Sequence, residues 1–171
     1  MKFYYVLHPR PVVVIGSGSV NRNEINFFAC SWITPVDDDN KIVGFSCWKG
    51  NYSYKLIKKY QQFSVNVVED IDLIWKVGTS SGEKIDKVKE FEIEYFVGKK
   101  LDIPIIKKSL AYMECKVVKE VEFGETSFFF GKVENCEGSF DNYGIREFWK
   151  YPLHKAGKSF AFPSKELKFV R

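Results

Sequence analysis

The sequence predicts a mainly β protein in which seven short strands form a small barrel capped by a few helices. Three observations carry this expectation. Runs dense in Val, Ile, Phe and Tyr recur along the chain, separated by polar or glycine-containing breaks. Aromatic residues make up 17% of the chain, with sixteen Phe and four Trp, which suits a dense β core or a stacking surface for a planar ring. Only two stretches combine helical spacing with end signals. At 171 residues the chain is long enough for a sizeable core and too short for two ordinary ones, so residues 1–171 are expected to form a single domain.

The elements follow in order. Val12 to Ile15 is the first strand, and Gly16-Ser17-Gly18-Ser19 after it is expected to be a hairpin turn that uses glycine for positive φ. A dinucleotide-binding glycine loop is excluded there, because no third glycine is suitably placed and no amphipathic helix follows. Phe27 to Ile33 and Ile42 to Cys47 are the next strands. Between them Asp37-Asp38-Asp39-Asn40 reads as a solvated hairpin, since it lacks the spacers, glycine and distal glutamate of a calcium loop. Tyr54 to Tyr60 is helical in its spacing, with Ser53 placed to cap its N-terminus. Phe63 to Val68 is a strand, and the segment around Ile71 to Gly78 is a helix with Asp70 and Asp72 first and Lys76 near its end. Thr79-Ser80-Ser81-Gly82 is a loop by composition. Glu92 to Phe96, Ala111 to Val121 and Ser127 to Cys136 complete the strands.

Composition narrows the function. A net charge of +4, spread over many Lys and Asp/Glu positions, fits a bound phosphate and argues against a nucleic-acid surface. Cys30, Cys47, Cys115 and Cys136 include no close pair of the kind that binds zinc or shuttles disulfides, so no metal is expected and the thiols read as reduced. With no leader pattern and no apolar run near the ~20 residues that span a bilayer, a cytoplasmic protein without membrane contact is expected.

The first third of the chain carries the chemistry. The apolar runs at Val12 to Ile15 and Ile42 to Cys47 both end in small or polar residues, which leaves backbone groups free for a ligand. The helix start at Ser53 is a natural phosphate site, because free N–H groups and the positive dipole end point outward together. Cys47 lies among apolar neighbours and reads as a buried, inert thiol.

These segments resemble the flavin reductase-like family of FMN-binding split β-barrels, which includes flavoredoxins and the small reductase partners of two-component monooxygenases. The resemblance rests on His8-Pro9-Arg10-Pro11-Val12, on Asn26 five residues ahead of Ser31-Trp32, on Ser46 to Ser53 and on Phe63-Ser64-Val65-Asn66-Val67. It continues through Asp86-Lys87, Pro104-Ile105-Ile106, Gly131-Lys132-Val133 and Tyr151-Pro152-Leu153-His154. It implies an antiparallel Greek-key split barrel, a homodimer, and FMN held in a groove at the subunit interface. Ser31, Trp32, Ile33 and Thr34 would line the isoalloxazine ring, and His154, near the C-terminus, would reach a partner subunit's flavin, a structural surface residue being the alternative reading. Ser46, Cys47, Trp48, Asn51 and Ser53 would surround the ribityl phosphate, with Lys49 and Lys87 as charge partners, and Asn26, in the motif that precedes Ser31-Trp32, is a further cofactor-binding position. The implied activity is NAD(P)H-dependent reduction of flavin or of a ferric chelate, by hydride transfer that needs no acid–base side chain. Two places depart from the family pattern, the first including Ser53, where Thr is common. Asn51 stands where Arg or His is common, and Gly124-Glu125-Thr126 replaces a Gly-Asp-His whose histidine lies near flavin and nicotinamide. The second departure keeps open an FMN-binding electron carrier that does not use nicotinamide directly.

Overall fold

A computed structural model describes residues 2–142 and 144–168. Among the described residues there are fourteen strands and three α-helices, and seven of the strands form one antiparallel sheet. In chain order the elements are β1 (Arg10–Pro11), β2 (Val13–Ser19), β3 (Glu24–Cys30), β4 (Ile33–Asp37), β5 (Ile42–Trp48), α1 (Tyr52–Tyr60), β6 (Gln62–Val67), α2 (Ile71–Thr79) and α3 (Lys87–Glu90). They continue with β7 (Tyr95–Val97), β8 (Pro104–Ile106), β9 (Ala111–Phe123), β10 (Thr126–Gly138), β11 (Phe140–Asp141), β12 (Gly144–Ile145), β13 (Leu153–Ala156) and β14 (Ser159–Ala161). Among the described residues no helix is long and apolar enough to cross a membrane.

The main sheet runs β3-β2-β6-β9-β10-β5-β4. Its two edges, β3 and β4, are consecutive in the chain and are joined only by Ser31 and Trp32. The sheet therefore curls until its edges approach, and the β4–β5 ladder runs one residue into the link, where the Ser46 N–H donates to the Trp32 carbonyl at 2.9 Å. No ladder pairs β3 with β4, so the cylinder stays split. Alternation along the strands sends Val13, Ile15, Phe28, Phe45, Phe63, Val65 and Phe129 into the curl, where Phe45 sits 4.8 Å from Phe63 and 5.7 Å from Phe129. Ile57 of α1 packs into the same cluster. On the other face of β2 and β3, Val12, Val14 and Phe27 pack against Ile74 and Val77 of α2. Strand β2 is thus buried on both faces, which is why Val12 to Ile15 is a continuous apolar run and the rest of the strand carries only small residues, Gly16 to Ser19.

Four expectations change. The Phe27 to Ile33 run is two strands, because the chain must cross from one sheet edge to the other at Ser31-Trp32. Tyr95–Val97 pairs with Pro104–Ile106 in a separate two-stranded sheet instead of joining the barrel. Gly16 to Ser19 is strand, not turn, and the reversal comes at residues 20–23, where Asn23 takes φ +53°. A Cβ on Gly16 would lie 2.4 Å from Ser64 Oγ and 2.6 Å from the Pro104 carbonyl, so glycine serves close approach at that position. The Asp37 to Asn40 hairpin matches its expectation, with Asn40 N–H donating to Asp37 Oδ1 at 2.9 Å. Helix α1 begins earlier than the spacing predicts. Asn51 takes the N-cap position, and Ser53 lies inside the first turn with its side chain fully buried.

Candidate functional site

Where β3, α1 and the segment after α2 meet, two clefts join end to end. The first, of about 320 Å³, is lined by Asn26, Trp48, Asn51, Lys87 and the Thr79-Ser80-Ser81-Gly82 loop. The second, of about 170 Å³, is lined by Val12, Ser31, Ile74, Trp75, His154 and Phe160. Gly78 and Thr79 line both, so the clefts form one groove.

Each end has its own chemistry. At the first, Lys87 is 4% exposed, and its Nζ donates to the Phe27 carbonyl at 2.9 Å and the Val77 carbonyl at 2.7 Å. No carboxylate pairs with it among the described residues, and burial pushes its ammonium down to about 8 from an ordinary 10.5. The two carbonyls leave this buried ammonium one N–H to spare. Helix α1 opens toward the same space, with Asn51 and Tyr52 on the wall and no side chain capping its first N–H groups. The Trp48 ring lies against Gly50, where a Cβ would come within 2.3 Å of it.

At the second end the walls are apolar and the polar groups few. Strand β13 pairs with β1 so that His154 stands opposite Arg10, which carries the imidazole to Ser31. His154 Nε2 lies 3.1 Å from the Gly157 carbonyl. A carbonyl only accepts, so Nε2 holds the proton in the neutral ring. Nδ1 is then the acceptor for Ser31 Oγ–H at 3.4 Å, and Ser31 Oγ keeps lone pairs for a ligand donor.

The other expected residues lie elsewhere. Ser53 Oγ is 2.8 Å from Ser17 Oγ and accepts from Asn26 Nδ2 at 2.9 Å, a network that holds Asn26 in place under the groove. Cys47 is buried, its thiol pushed up to about 12 by desolvation, and Asn51 Nδ2 lies 3.8 Å from its Sγ. The Ser46 N–H is committed to the Trp32 carbonyl. Trp32 is 44% exposed, with the Arg10 guanidinium 5.3 Å from its ring centroid and Tyr4 at 5.4 Å. Ile33 and Thr34 line a separate apolar groove of about 730 Å³ with Val65, Met113 and Tyr151. Lys49 pairs with Glu122 at 2.5 Å, away from the groove.

The family model described as "Flavin reductase like domain" matches residues 5–148. The chain belongs to the flavin reductase-like family. An uncharacterized protein of Archaeoglobus fulgidus is 31% identical over 165 residues, which cover 94% of this chain and 92% of that one. A crystal structure of an FMN-binding protein from Thermus thermophilus with bound 1-cyclohex-2-enone superposes with a TM-score of 0.90 at 22% identity, covering 99% of this chain and 95% of that one. The flavin reductase HpaC complexed with NADP+ superposes with a TM-score of 0.74 at 19% identity, covering 93% of each chain.

For this family member the residues missed by sequence reasoning are those of the loop after α2, together with Trp75, Phe160 and Gly157. Thr79-Ser80-Ser81-Gly82 carried a signal, a hydroxyl-rich run closing on glycine directly after a helix, but composition alone marks it only as a loop. Trp75 and Phe160 read equally well as core. Thr126 begins β10 opposite Trp48, one position from the groove wall.

Proposed function

We propose that this protein binds FMN along the joined clefts and uses it as an NAD(P)H-dependent flavin or ferric reductase. The observation that carries the reading is the groove itself, with an unpaired buried lysine at one end and a flat apolar slot with two hydrogen-bonding side chains at the other. The residues fit the two halves of the molecule. Lys87, Asn51 and the α1 N–H groups would hold the phosphate, joined by Ser80 and Ser81. Trp75 and Phe160 would flank the ring, and Ser31 Oγ, its own proton given to His154, would accept from a ring N–H.

FMN, when bound, supplies the two-electron chemistry. The chain positions it and keeps water from the ring face, while Gly157 fixes the His154 tautomer and so the direction of the Ser31 hydrogen bond. The groove that holds Ile33 and Thr34, with the exposed Trp32 beside it, supports a homodimer in which a second copy covers this side of the site. A non-catalytic FMN electron carrier is the second reading, favoured by Thr126, whose hydroxyl offers no ring to stack on nicotinamide.

The test is anaerobic stopped-flow absorbance of the FMN-loaded protein mixed separately with NADH and NADPH. Fast bleaching of the flavin band is expected with one of them. FMN retained without bleaching selects the carrier, and failure to retain FMN rejects the site.

A further inference from the structure

Beside the ring end of the groove stands a cation with no counter-charge. Arg10 lies opposite His154 in the β1–β13 ladder and two residues ahead of Val12, both of which line the apolar slot. It makes no ion pair among the described residues. One Nη2–H donates to His8 Nε2 at 2.8 Å, and the Nε–H is shut away from solvent with no acceptor. The guanidinium and the rings of Trp32 and Tyr4 form a triangle with sides of 5.3, 5.4 and 5.8 Å, so the cation is held over two aromatic faces. Its Nη1 edge makes no hydrogen bond among the described residues.

The groups around Arg10 add no negative charge. His8 carries its proton on Nδ1, because Nε2 accepts from Arg10, and its ring lies 5.7 Å from that of His154. Desolvation, Arg10 and His154 together hold His8 below the ordinary imidazole range, which keeps Nε2 an acceptor. No carboxylate lines the slot beyond His154.

We infer that Arg10 is the recognition point for the electron acceptor, a planar quinone that bears a carboxylate. The inference rests on the FMN reading above, which puts the flavin phosphate at Lys87 and leaves Arg10, at the opposite end, unspent on the cofactor. A guanidinium edge matches a carboxylate with two parallel hydrogen bonds, and the rings of Trp32 and Tyr4 give a fused aromatic body a surface to lie on. The quinone's two carbonyl oxygens take up two electrons and two protons from reduced FMN and become hydroxyls, and FMN is left oxidised for the next NAD(P)H. His8 is a positioning residue, since its ring fixes the direction in which the guanidinium edge points.

Isothermal titration of the oxidised, FMN-loaded protein with anthraquinone carboxylate and with neutral hydroxymethyl anthraquinone tests this, alongside Arg10→Gln and His8→Ala. The wild-type protein is expected to bind the carboxylate at least about tenfold tighter than the neutral quinone. Arg10→Gln is expected to erase that margin and His8→Ala to shrink it severalfold, with FMN affinity and bleaching by NAD(P)H within about twofold of wild type in both. Photoreduced protein mixed with each quinone is expected to show the same preference in the rate at which the flavin band returns. Equal binding of the two quinones by wild type overturns the inference, as does a margin that neither substitution moves. A parallel loss of FMN affinity assigns Arg10 to the flavin, a parallel slowing of bleaching assigns it to the donor, and either result overturns the inference too. Wild-type protein that retains no FMN rejects the FMN site itself, a failure visible before any quinone is added.

Discussion

Lys87 controls the charge of the groove. Burial lowers its folded-state pKa to about 8 from 10.5, so between those values the folded protein binds fewer protons than the unfolded chain. The contribution of Lys87 to stability is therefore least favourable below about pH 8 and improves as pH rises toward 10.5. Thermal melts of flavin-free protein across that window are expected to show this rise, and Lys87→Met to flatten it. An anion at Lys87 favours the charged form, so wild-type FMN affinity is expected to fall as pH climbs above about 8, and Lys87→Met to bind FMN about tenfold or more weakly with little pH dependence. Asn51 and Ser53 separate in the same way. Ser53→Ala strips a fully buried acceptor from Asn26 Nδ2 and is expected to cost about 1–3 kcal/mol in flavin-free denaturation. Asn51→Ala, at a half-buried groove position, is expected to weaken FMN binding while leaving the flavin-free melting temperature almost unchanged. Most groove residues near the β3 and β5 ends were legible from their motifs. The Ser53 network was not, because a hydroxyl one position from a helix start reads as a cap until the packing of Ser17 and Asn26 is known.

Among the elements, β2 shows how much local pattern reveals and where it fails. Its apolar run, Val12 to Ile15, reads as a strand, and the strand is buried on both faces. Its glycines read as a turn because that residue type serves both sharp reversal and close packing, and nothing local tells them apart. Pro104 does: its carbonyl packs where a Gly16 Cβ would stand. Gly16→Ala is expected to destabilise the protein by roughly 2 kcal/mol or more, since backbone must move, and the measurement is a denaturant midpoint shift at unchanged slope. The break at Ser31-Trp32 was illegible for a related reason. Neither residue stops a strand, and the chain leaves β3 there only because the sheet has curled far enough to bring β4 beside it. The loop after α2 was placed correctly, while its part in the groove depends on how α2 packs on Val14 and Phe27.

At the level of the whole molecule, the outer surface of the sheet keeps apolar groups that a lone chain leaves in water. Phe128 and Phe130 lie with ring centroids 5.0 Å apart, tilted at 57°, on the strand face away from the curl, while Trp48 and Phe123 are 57% and 69% exposed. A second copy covering part of this surface would complete the groove near Trp32, and sedimentation at micromolar concentration is expected to give twice 19.9 kDa. A monomer under those conditions would reject the shared site. The sequence by itself determined the β class, the two longer helices and the family, and it singled out Asn26, Trp48, Asn51 and Lys87, which line one cleft, because periodicity, cap chemistry and short motifs are local properties of the chain. The tertiary structure decided which strands share a sheet, that β3 and β4 are its two edges, and that Lys87, Ser31 and His154 border one groove. Those facts depend on sheet curl and on packing between residues far apart in sequence, as when β1 pairs with β13 to bring His154 to Ser31, and no local pattern encodes such distances.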